Sequence, residues 1–154
     1  MTEPVMDQAW IAARIPHQGS MCLLSAVASW SEDDIVCLAD SHLQPGNPLR
    51  AAGRLGVANA IEYAAQAMAV HGALLAGDAA PARAGYLTSV RELSWHCRRL
   101  DQLAAPLRIH AERLSGSPVN AMYRFTLHAG DSLLVSGRLG VVLDADALAG
   151  NKNH

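Results

Sequence analysis

Two residues in this 154-residue sequence have types and positions suited to acid–base chemistry: His42 in a loop and Glu62 in an alanine-rich segment. His42 lies in the stretch SHLQPGNPLR, whose proline, glycine and asparagine residues predict a loop that follows a strand. A carboxylate in a sheltered helix must be hydrogen-bonded, paired or neutral, and a neutral carboxyl can act as an acid near neutral pH. The sequence leaves open the alternative that Glu62 faces solvent.

The elements that must position these residues are a long helix and a series of strands. Residues 54–76, RLGVANAIEYAAQAMAVHGALLA, contain no proline and many good helix formers, so they predict the longest helix. Its few polar residues predict a central helix that is wrapped on several sides. Residues 7–14 predict a short helix. Apolar and alternating segments predict strands over residues 21–30, 34–41, 84–98, 106–116, 119–130 and 132–144. This order predicts an α+β domain with an antiparallel sheet curled around one helix.

Composition restricts the class of protein. The chain is 51% hydrophobic with a net charge of -2 and few aromatic residues, which argues against nucleic-acid binding. We expect a single domain over residues 1–146 and a flexible tail over residues 147–154. Three widely spaced cysteines predict a reducing compartment. The sequence shows neither a signal peptide nor a membrane span, so we expect a cytoplasmic protein.

Other familiar sites find little support in the sequence. The tetrapeptide GDSL at residues 130–133 matches a hydrolase motif, but it falls in a predicted hairpin turn near the end of the chain, so we interpret it as a coincidence. The histidines and cysteines lack the spacing of metal ligands, which predicts no metal site. No phosphate-binding loop or nucleophile elbow occurs.

The stretches IPHQGSMCLL, SHLQPGNPLR and IEYAAQAMAVHGAL together resemble the hotdog-fold (3R)-3-hydroxyacyl-[acyl carrier protein] dehydratases. The later stretches GYLTSVRELSW and LLVSGRLGVVL also fit, so the resemblance covers most of the chain. The better-known dehydratases have His-Phe-Pro and a shorter loop, whereas His42 here precedes Leu43 and Gln44. The resemblance is therefore nearer to the dehydratase-like subgroup of aryl polyene biosynthesis. It implies a long central helix wrapped by a curved antiparallel sheet.

The resemblance implies a lyase that converts 3-hydroxyacyl thioesters into trans-2-enoyl thioesters in fatty-acid-like or aryl polyene biosynthesis. His42 would be the base that removes the proton beside the carbonyl, and Glu62 would be the acid that protonates the departing hydroxyl. Backbone N–H groups at the start of the helix, that of Gly56 above all, would stabilise the enolate oxygen. The two catalytic groups would meet across the interface of a homodimer, or of a heterodimer with a related dehydratase.

Further roles follow from the same resemblance. The acyl chain would occupy an apolar tunnel beside the helix, touching Ile61, Ala65 and Met68, which are also candidate core residues. Gln66 lies one helical turn after Glu62 and would hold its carboxyl group in place. The partner would be an acyl carrier protein with a phosphopantetheine-linked substrate, and no cofactor is expected. Arginines would meet the acidic carrier and its phosphate, and the candidates are Arg91, Arg98 and Arg99.

Three alternatives remain open at this level. A hotdog acyl-CoA thioesterase also uses a helix carboxylate, although it does not need His42. The chain could instead be the non-catalytic subunit of a heterodimer of dehydratase-like proteins. A structural interaction module without a tunnel would leave Glu62 exposed to solvent and unpaired with any histidine.

Overall fold

A computed structural model describes residues 6–15, 21–77, 86–117 and 120–142 of the chain. In chain order the elements are β1 (Met6–Asp7), α1 (Gln8–Arg14), β2 (Ala26–Trp30), β3 (Asp34–Ala39), α2 (Ala60–Ala76), β4 (Tyr86–Trp95), β5 (Leu107–Gly116), β6 (Asn120–Ala129) and β7 (Ser132–Val142), and two 3-10 turns lie at Ser41–Leu43 and Val57–Asn59. The tail predicted for residues 147–154 lies outside the described residues. The single domain over residues 1–146 stays a prediction.

The strands form one seven-stranded sheet in the order β1-β2-β3-β5-β6-β7-β4, and every neighbouring pair is antiparallel. Successive side chains of a strand point to opposite faces. One face therefore carries the buried apolar residues of the central strands, and α2 lies against that face at β3, β5 and β6. The predicted arrangement of one long helix wrapped by an antiparallel sheet is confirmed.

Both α-helices have identifiable ends. The Asp7 carboxylate accepts a hydrogen bond from the Trp10 N–H at 2.9 Å and so caps the start of α1. Helix α2 ends at Gly77, whose φ of 81° lies in the region that glycine adopts without strain. The predicted short helix at residues 7–14 is therefore confirmed within one residue.

The start of α2 differs from the prediction, because the helix begins at Ala60 rather than at residue 54. Residues before it pair with a later loop instead. Leu100 N donates to Leu55 O at 2.8 Å, and Val57 N donates to Arg98 O at 2.9 Å. These bonds hold the backbone extended around Gly56, so helical hydrogen bonding starts only after them.

The strand predicted over residues 21–30 begins later, at Ala26. The residues before it are held by a side chain of α2, since Leu23 N donates to Gln66 Oε1 at 2.9 Å. The two-residue strand β1 was not predicted, because a segment this short carries no periodic signal.

Candidate functional site

His42 lies in the 3-10 turn that follows β3, and its imidazole is completely buried. Its Nε2 atom lies 2.8 Å from the carbonyl oxygen of Leu103 and 3.1 Å from that of Ala105. Because carbonyl oxygens only accept hydrogen bonds, Nε2 carries a proton and donates to both. The Nδ1 atom is buried and has no partner among the described residues. In the neutral ring, the lone pair therefore lies on Nδ1.

A buried polar network fixes the loop that carries His42. The hydroxyl oxygens of Ser41 and Tyr63 lie 2.8 Å apart, and Ser41 also donates to Leu23 O at 2.8 Å. The Asn47 amide donates to Ser41 O at 2.9 Å and to the Tyr63 hydroxyl at 3.2 Å. Burial raises the pKa of Tyr63 above its ordinary value, so the phenol stays protonated. The loop is thus anchored to α2 and to the segment before β2.

This network was not predicted from the sequence. Asn47 was recognised only as a loop residue and Tyr63 only as a position in the helix. The available signal was the presence of a tyrosine on an alanine-rich helix, since a buried tyrosine usually finds a partner for its hydroxyl group. Nothing in the sequence specified Ser41 and Asn47 as those partners.

Gln66 has a different role from the predicted one. Its Nε2 donates to Met21 O at 2.6 Å, and its Oε1 accepts from Leu23 N at 2.9 Å. The side chain is fully buried, and both ends of its amide are bonded to backbone groups. The predicted hydrogen bond from Gln66 to the Glu62 carboxyl is therefore wrong. Gln66 instead supports the segment that packs beside the His42 loop.

Glu62 lies in the first turn of α2, and its side chain is exposed in the single chain. Its carboxylate forms no hydrogen bond or ion pair with another described residue. The prediction of a sheltered Glu62 carboxyl is thus not met in the single chain. Glu62 instead faces solvent, which is the alternative that the sequence left open. Alanines occupy both buried and half-buried positions of the helix, so composition did not reveal the orientation of Glu62.

An apolar cavity of about 250 Å³ lies between the start of α2 and the strands β4 and β7. Trp95 forms part of its wall and is 57% exposed, so the cavity opens near the protein surface. Glu62 directly follows Ile61, a cavity-lining residue, and is not itself part of the lining. The residues that line the cavity are Val57, Ala58, Ile61, Leu93, Trp95 and Val135.

The three predicted tunnel residues have different surroundings in the structure. Ile61 lines the cavity. Ala65, one turn further along α2, is half-buried and does not form part of this lining. Met68 is completely buried and belongs to the hydrophobic core. Of the three residues, only Ile61 is positioned to touch an acyl chain in this cavity.

Gly56 lies at the N-terminal end of the 3-10 turn that leads into α2. Its carbonyl accepts from Asn59, whereas its N–H has no partner within the described residues. The positive end of the helix dipole lies at this terminus, and an unpaired N–H there can bind a developing negative charge. A Cβ atom added at Gly56 would have the Asn59 Nδ2 atom as its nearest neighbour, at 4.0 Å.

The three predicted carrier-binding arginines have different surroundings. Arg91 and Arg98 are exposed. Arg99 instead donates from Nε and Nη2 to the two carboxylate oxygens of Asp101 at 3.1 and 2.6 Å. These bonds hold the pKa of Asp101 well below its ordinary value. Because its guanidinium already holds a carboxylate, Arg99 is the least available of the three for a phosphate group.

Asp101 and Arg50 connect the loops around His42. Asp101 accepts from Leu55 N at 3.0 Å as well as from Arg99. Arg50 donates to the carbonyl oxygens of His42 and Gly53 at 3.0 and 2.8 Å. The β3–α2 connection is therefore tied to itself, and Asp101 ties it to the loop between β4 and β5.

The described residues contain no cluster of three or more His, Cys, Asp or Glu side chains that would hold a metal ion. No helix within them has the length and apolar character needed to cross a bilayer.

A family model described as ApeP-like, ApeP dehydratase, matches residues 9–149. The chain belongs to the ApeP-like dehydratase family. The predicted resemblance to aryl polyene-type dehydratase-like proteins is therefore confirmed. Among curated proteins, no significant match is found.

Solved structures confirm the predicted hotdog fold. The dehydratase heterocomplex ApeI:P from Xenorhabdus doucetiae matches with a TM-score of 0.81 at 21% identity, covering 100% of both chains. A thioesterase from Pseudomonas aeruginosa matches with a TM-score of 0.58 at 12% identity, over 93% of this chain and 97% of that chain. A sigma28-regulated virulence protein from Campylobacter jejuni matches with a TM-score of 0.60 at 10% identity, over 94% and 96%. At these identities the likeness establishes the fold alone.

Proposed function

We propose that this protein is one subunit of a dimeric dehydratase that removes water from 3-hydroxyacyl thioesters to give trans-2-enoyl thioesters. The observation that carries the proposal is the exposed Glu62 carboxyl in the first turn of α2, directly after the cavity-lining Ile61. An exposed carboxyl beside an apolar cavity is available both to a substrate and to a second subunit.

The reaction requires loss of a proton beside the thioester carbonyl and departure of the 3-hydroxyl group. In the proposal, a histidine accepts the carbon-bound proton, since imidazole is the side chain that titrates nearest neutral pH. Glu62 gives its proton to the departing hydroxyl, which leaves as water. The C–O bond breaks as the carbon–carbon double bond forms, so atoms and charge balance without a cofactor.

The enolate oxygen that develops during this reaction needs a hydrogen-bond donor. The unpaired N–H of Gly56 supplies one at the positive end of a helix terminus. The apolar cavity would take the first carbons of the acyl chain, with Ile61 in contact. The acid, the oxyanion donor and three of the six cavity-lining residues thus come from residues 56–62, and β4 and β7 supply the rest of the wall.

The second subunit is proposed to dock along β4. This strand ends the sheet, so the hydrogen-bonding groups of its outer edge have no strand partner in the described part of the chain. Leu87, Val90 and Trp95 are exposed along it. Long apolar edge strands are normally covered in stable proteins. The ApeI:P heterocomplex, which matches the whole chain, supports a related protein as the second subunit.

The substrate is proposed to arrive on an acyl carrier protein in fatty-acid-like or aryl polyene biosynthesis. Carrier proteins are acidic, and the exposed Arg91 and Arg98 offer complementary charge. The proposal places the protein in the cytoplasm. Three free cysteines, Cys22, Cys37 and Cys97, support a reducing compartment.

The test uses the tagged protein purified from its native host together with any hotdog subunit that accompanies it. Hydration of crotonyl thioesters, the reverse reaction, is measured for wild type, Glu62→Gln and Glu112→Gln. We expect Glu62→Gln to lower the rate by about 100-fold or more, because the general acid is lost. Glu112 pairs with Arg124 on the other face of the sheet and serves as the matched control. Equal rates in all three proteins would refute the proposal.

Thioester hydrolysis is the second candidate function. A thioesterase shares the fold, and the Glu62 carboxylate is also suited to activate a water molecule. The same samples are therefore assayed for release of free thiol. Thiol release that depends on Glu62, without hydration of the enoyl group, would assign the site to thioester hydrolysis instead.

A further inference from the structure

The imidazole of His42 has no solvent-accessible surface even when the chain stands alone. A second subunit that docks on this conformation removes surface and adds none. The exposure of His42 in the single chain is therefore the most that any assembly of this conformation allows. A base must touch the carbon-bound proton of its substrate, and in this conformation the protein encloses the free Nδ1 lone pair of His42.

The contacts of His42 describe another role. Its Nε2–H is shared between two carbonyl oxygens of the β4–β5 loop, at 2.8 and 3.1 Å. Its own carbonyl oxygen accepts from Arg50 at 3.0 Å. Removing the imidazole would leave the carbonyls of Leu103 and Ala105 without this donor, and unpaired polar groups destabilise a protein interior. The ring thus joins the loop before α2 to the loop after β4.

The loop that His42 clamps also holds the start of α2. Leu100 N donates to Leu55 O, and Val57 N donates to Arg98 O. These bonds leave the Gly56 N–H unpaired between them. Through this loop, the His42 ring helps to set the position of the Gly56 backbone, which carries the proposed oxyanion donor. The ring itself does not touch a reacting atom.

We propose that His42 is a positioning residue that fixes the start of α2, and that the base of the site containing Glu62 is a histidine of a related, non-identical subunit. This inference rests on the proposed function. A second copy of this chain would bring the same sealed His42. Of the other described histidines, His71 is buried with both ring nitrogens bonded, and His110 is paired with Asp34.

Neither of the remaining two described histidines lines the cavity. His128 alternates with the buried Leu127 on β6, which places it on the sheet face opposite α2. His96 comes directly after the last residue of β4 and is not among the residues that line the cavity. Among the described residues no histidine is thus placed to act as the base, and the proposal assigns this role to the other polypeptide of the dimer.

The first test compares His42→Gln with His42→Leu in the purified chain. Glutamine retains an N–H donor at about the reach of the imidazole Nε2, whereas leucine fills the space without a donor. We expect His42→Gln to unfold near the wild-type temperature and His42→Leu to unfold about 5–10 °C lower. Equal unfolding temperatures for His42→Leu and wild type would overturn the clamp.

The second test measures access to the ring with diethyl pyrocarbonate, which acylates accessible neutral imidazoles. His96 is exposed and provides the internal control. We expect His96 to be modified in the folded protein and His42 only after unfolding, as followed by peptide mass spectrometry. Modification of His42 at the rate of His96 would overturn the inference.

The third test assays hydration of crotonyl thioester by the complex purified from the native host. We expect His42→Gln and His96→Gln to retain at least half of the wild-type rate, with an unchanged pH profile. A loss of about 100-fold in a folded His42→Gln complex would make His42 the base, and the same loss in His96→Gln would make His96 the base. Either result overturns the inference and leaves the proposed function intact. The proposed function is tested separately, by the hydration rate of Glu62→Gln.

Discussion

The Nδ1 atom of His71 lies 2.6 Å from the hydroxyl oxygen of Tyr123, and its Nε2 atom lies 2.7 Å from the carbonyl oxygen of Ser31. Because the carbonyl only accepts, Nε2 carries the proton and Nδ1 accepts from the Tyr123 hydroxyl. Burial lowers the pKa of His71 from 6.5 and raises that of Tyr123 to about 12. A neutral ring thus joins α2 to β6 and to the turn after β2.

This arrangement predicts that the protein loses stability as the pH falls below 6.5. The folded pKa of His71 is lowered, so the unfolded chain takes up a proton at a pH where the folded chain does not. The contribution of neutral His71 is complete above pH 6.5 and declines below it. We expect a loss of up to about 1.4 kcal/mol in the free energy of unfolding for the first pH unit below that value.

Urea unfolding of wild type and His71→Gln at several pH values measures this loss. Glutamine retains a donor for Ser31 and an acceptor for Tyr123 but does not titrate. The nearby Asp34 does not interfere, because hydrogen bonds from Ser31 and His110 lower its pKa from 3.8. If the free energy of unfolding of wild type and variant depends on pH in the same way between about pH 5.5 and 7.5, His71 is excluded as the source of the stability loss.

Gly56→Ala should separate ligand binding from folding. The φ and ψ of Gly56, -69° and 157°, are ordinary for any residue. The added methyl group would have free space around it. We therefore expect stability to stay equal or rise by roughly 0.4–1 kcal/mol. If a thioester oxygen approaches the Gly56 N–H, the methyl group obstructs it, and kcat/KM should fall toward the roughly 100-fold loss of an oxyanion donor.

Gly72→Ala provides the comparison for this variant. Gly72 lies within α2 and an added Cβ there meets nothing within 4 Å. Its replacement should increase stability in the same way and leave kcat/KM unchanged. Equal activity of both alanine variants would remove Gly56 from the proposed site.

The fold was largely predictable because its signals are local. Proline-free helix formers identified α2, and Gly77 marks its end. Alternation along β5 and β6 identified strands whose buried residues now face the helix. These patterns survive in a single sequence because each depends on residues a few positions apart.

The site was less predictable because it depends on contacts between distant segments. The His42 ring meets carbonyl groups of the β4–β5 loop, and backbone carbonyls leave no mark on the sequence. Gln66 was correctly seen as close to Glu62 along the helix, but its amide turns toward Met21 and Leu23. Periodicity gives the face of a helix and not the backbone groups that compete for its side chains.

Val90→Lys tests β4 as the dimer edge. Val90 is 40% exposed in the single chain, so lysine is tolerated there when the chain is alone. In a dimer the lysine would be buried against the second subunit, and we expect the dissociation constant to rise by at least about tenfold. Analytical ultracentrifugation measures this change. Leu75→Lys, at a residue of similar exposure near the end of α2, is the control, and equal dissociation of both variants would argue against the β4 interface.

Ala58→Leu tests the cavity as the acyl site. Ala58 is exposed and lines the cavity, so leucine should change stability by no more than about 0.5 kcal/mol while it reduces the space. Each methylene that the cavity no longer accepts loses about 0.8 kcal/mol, or roughly fourfold in kcat/KM. Longer enoyl thioesters should therefore suffer more than crotonyl thioester when hydration rates are compared. Ala76→Leu, at the exposed last residue of α2, should leave this chain-length profile unchanged. A profile that is the same in Ala58→Leu and Ala76→Leu would place the acyl chain elsewhere.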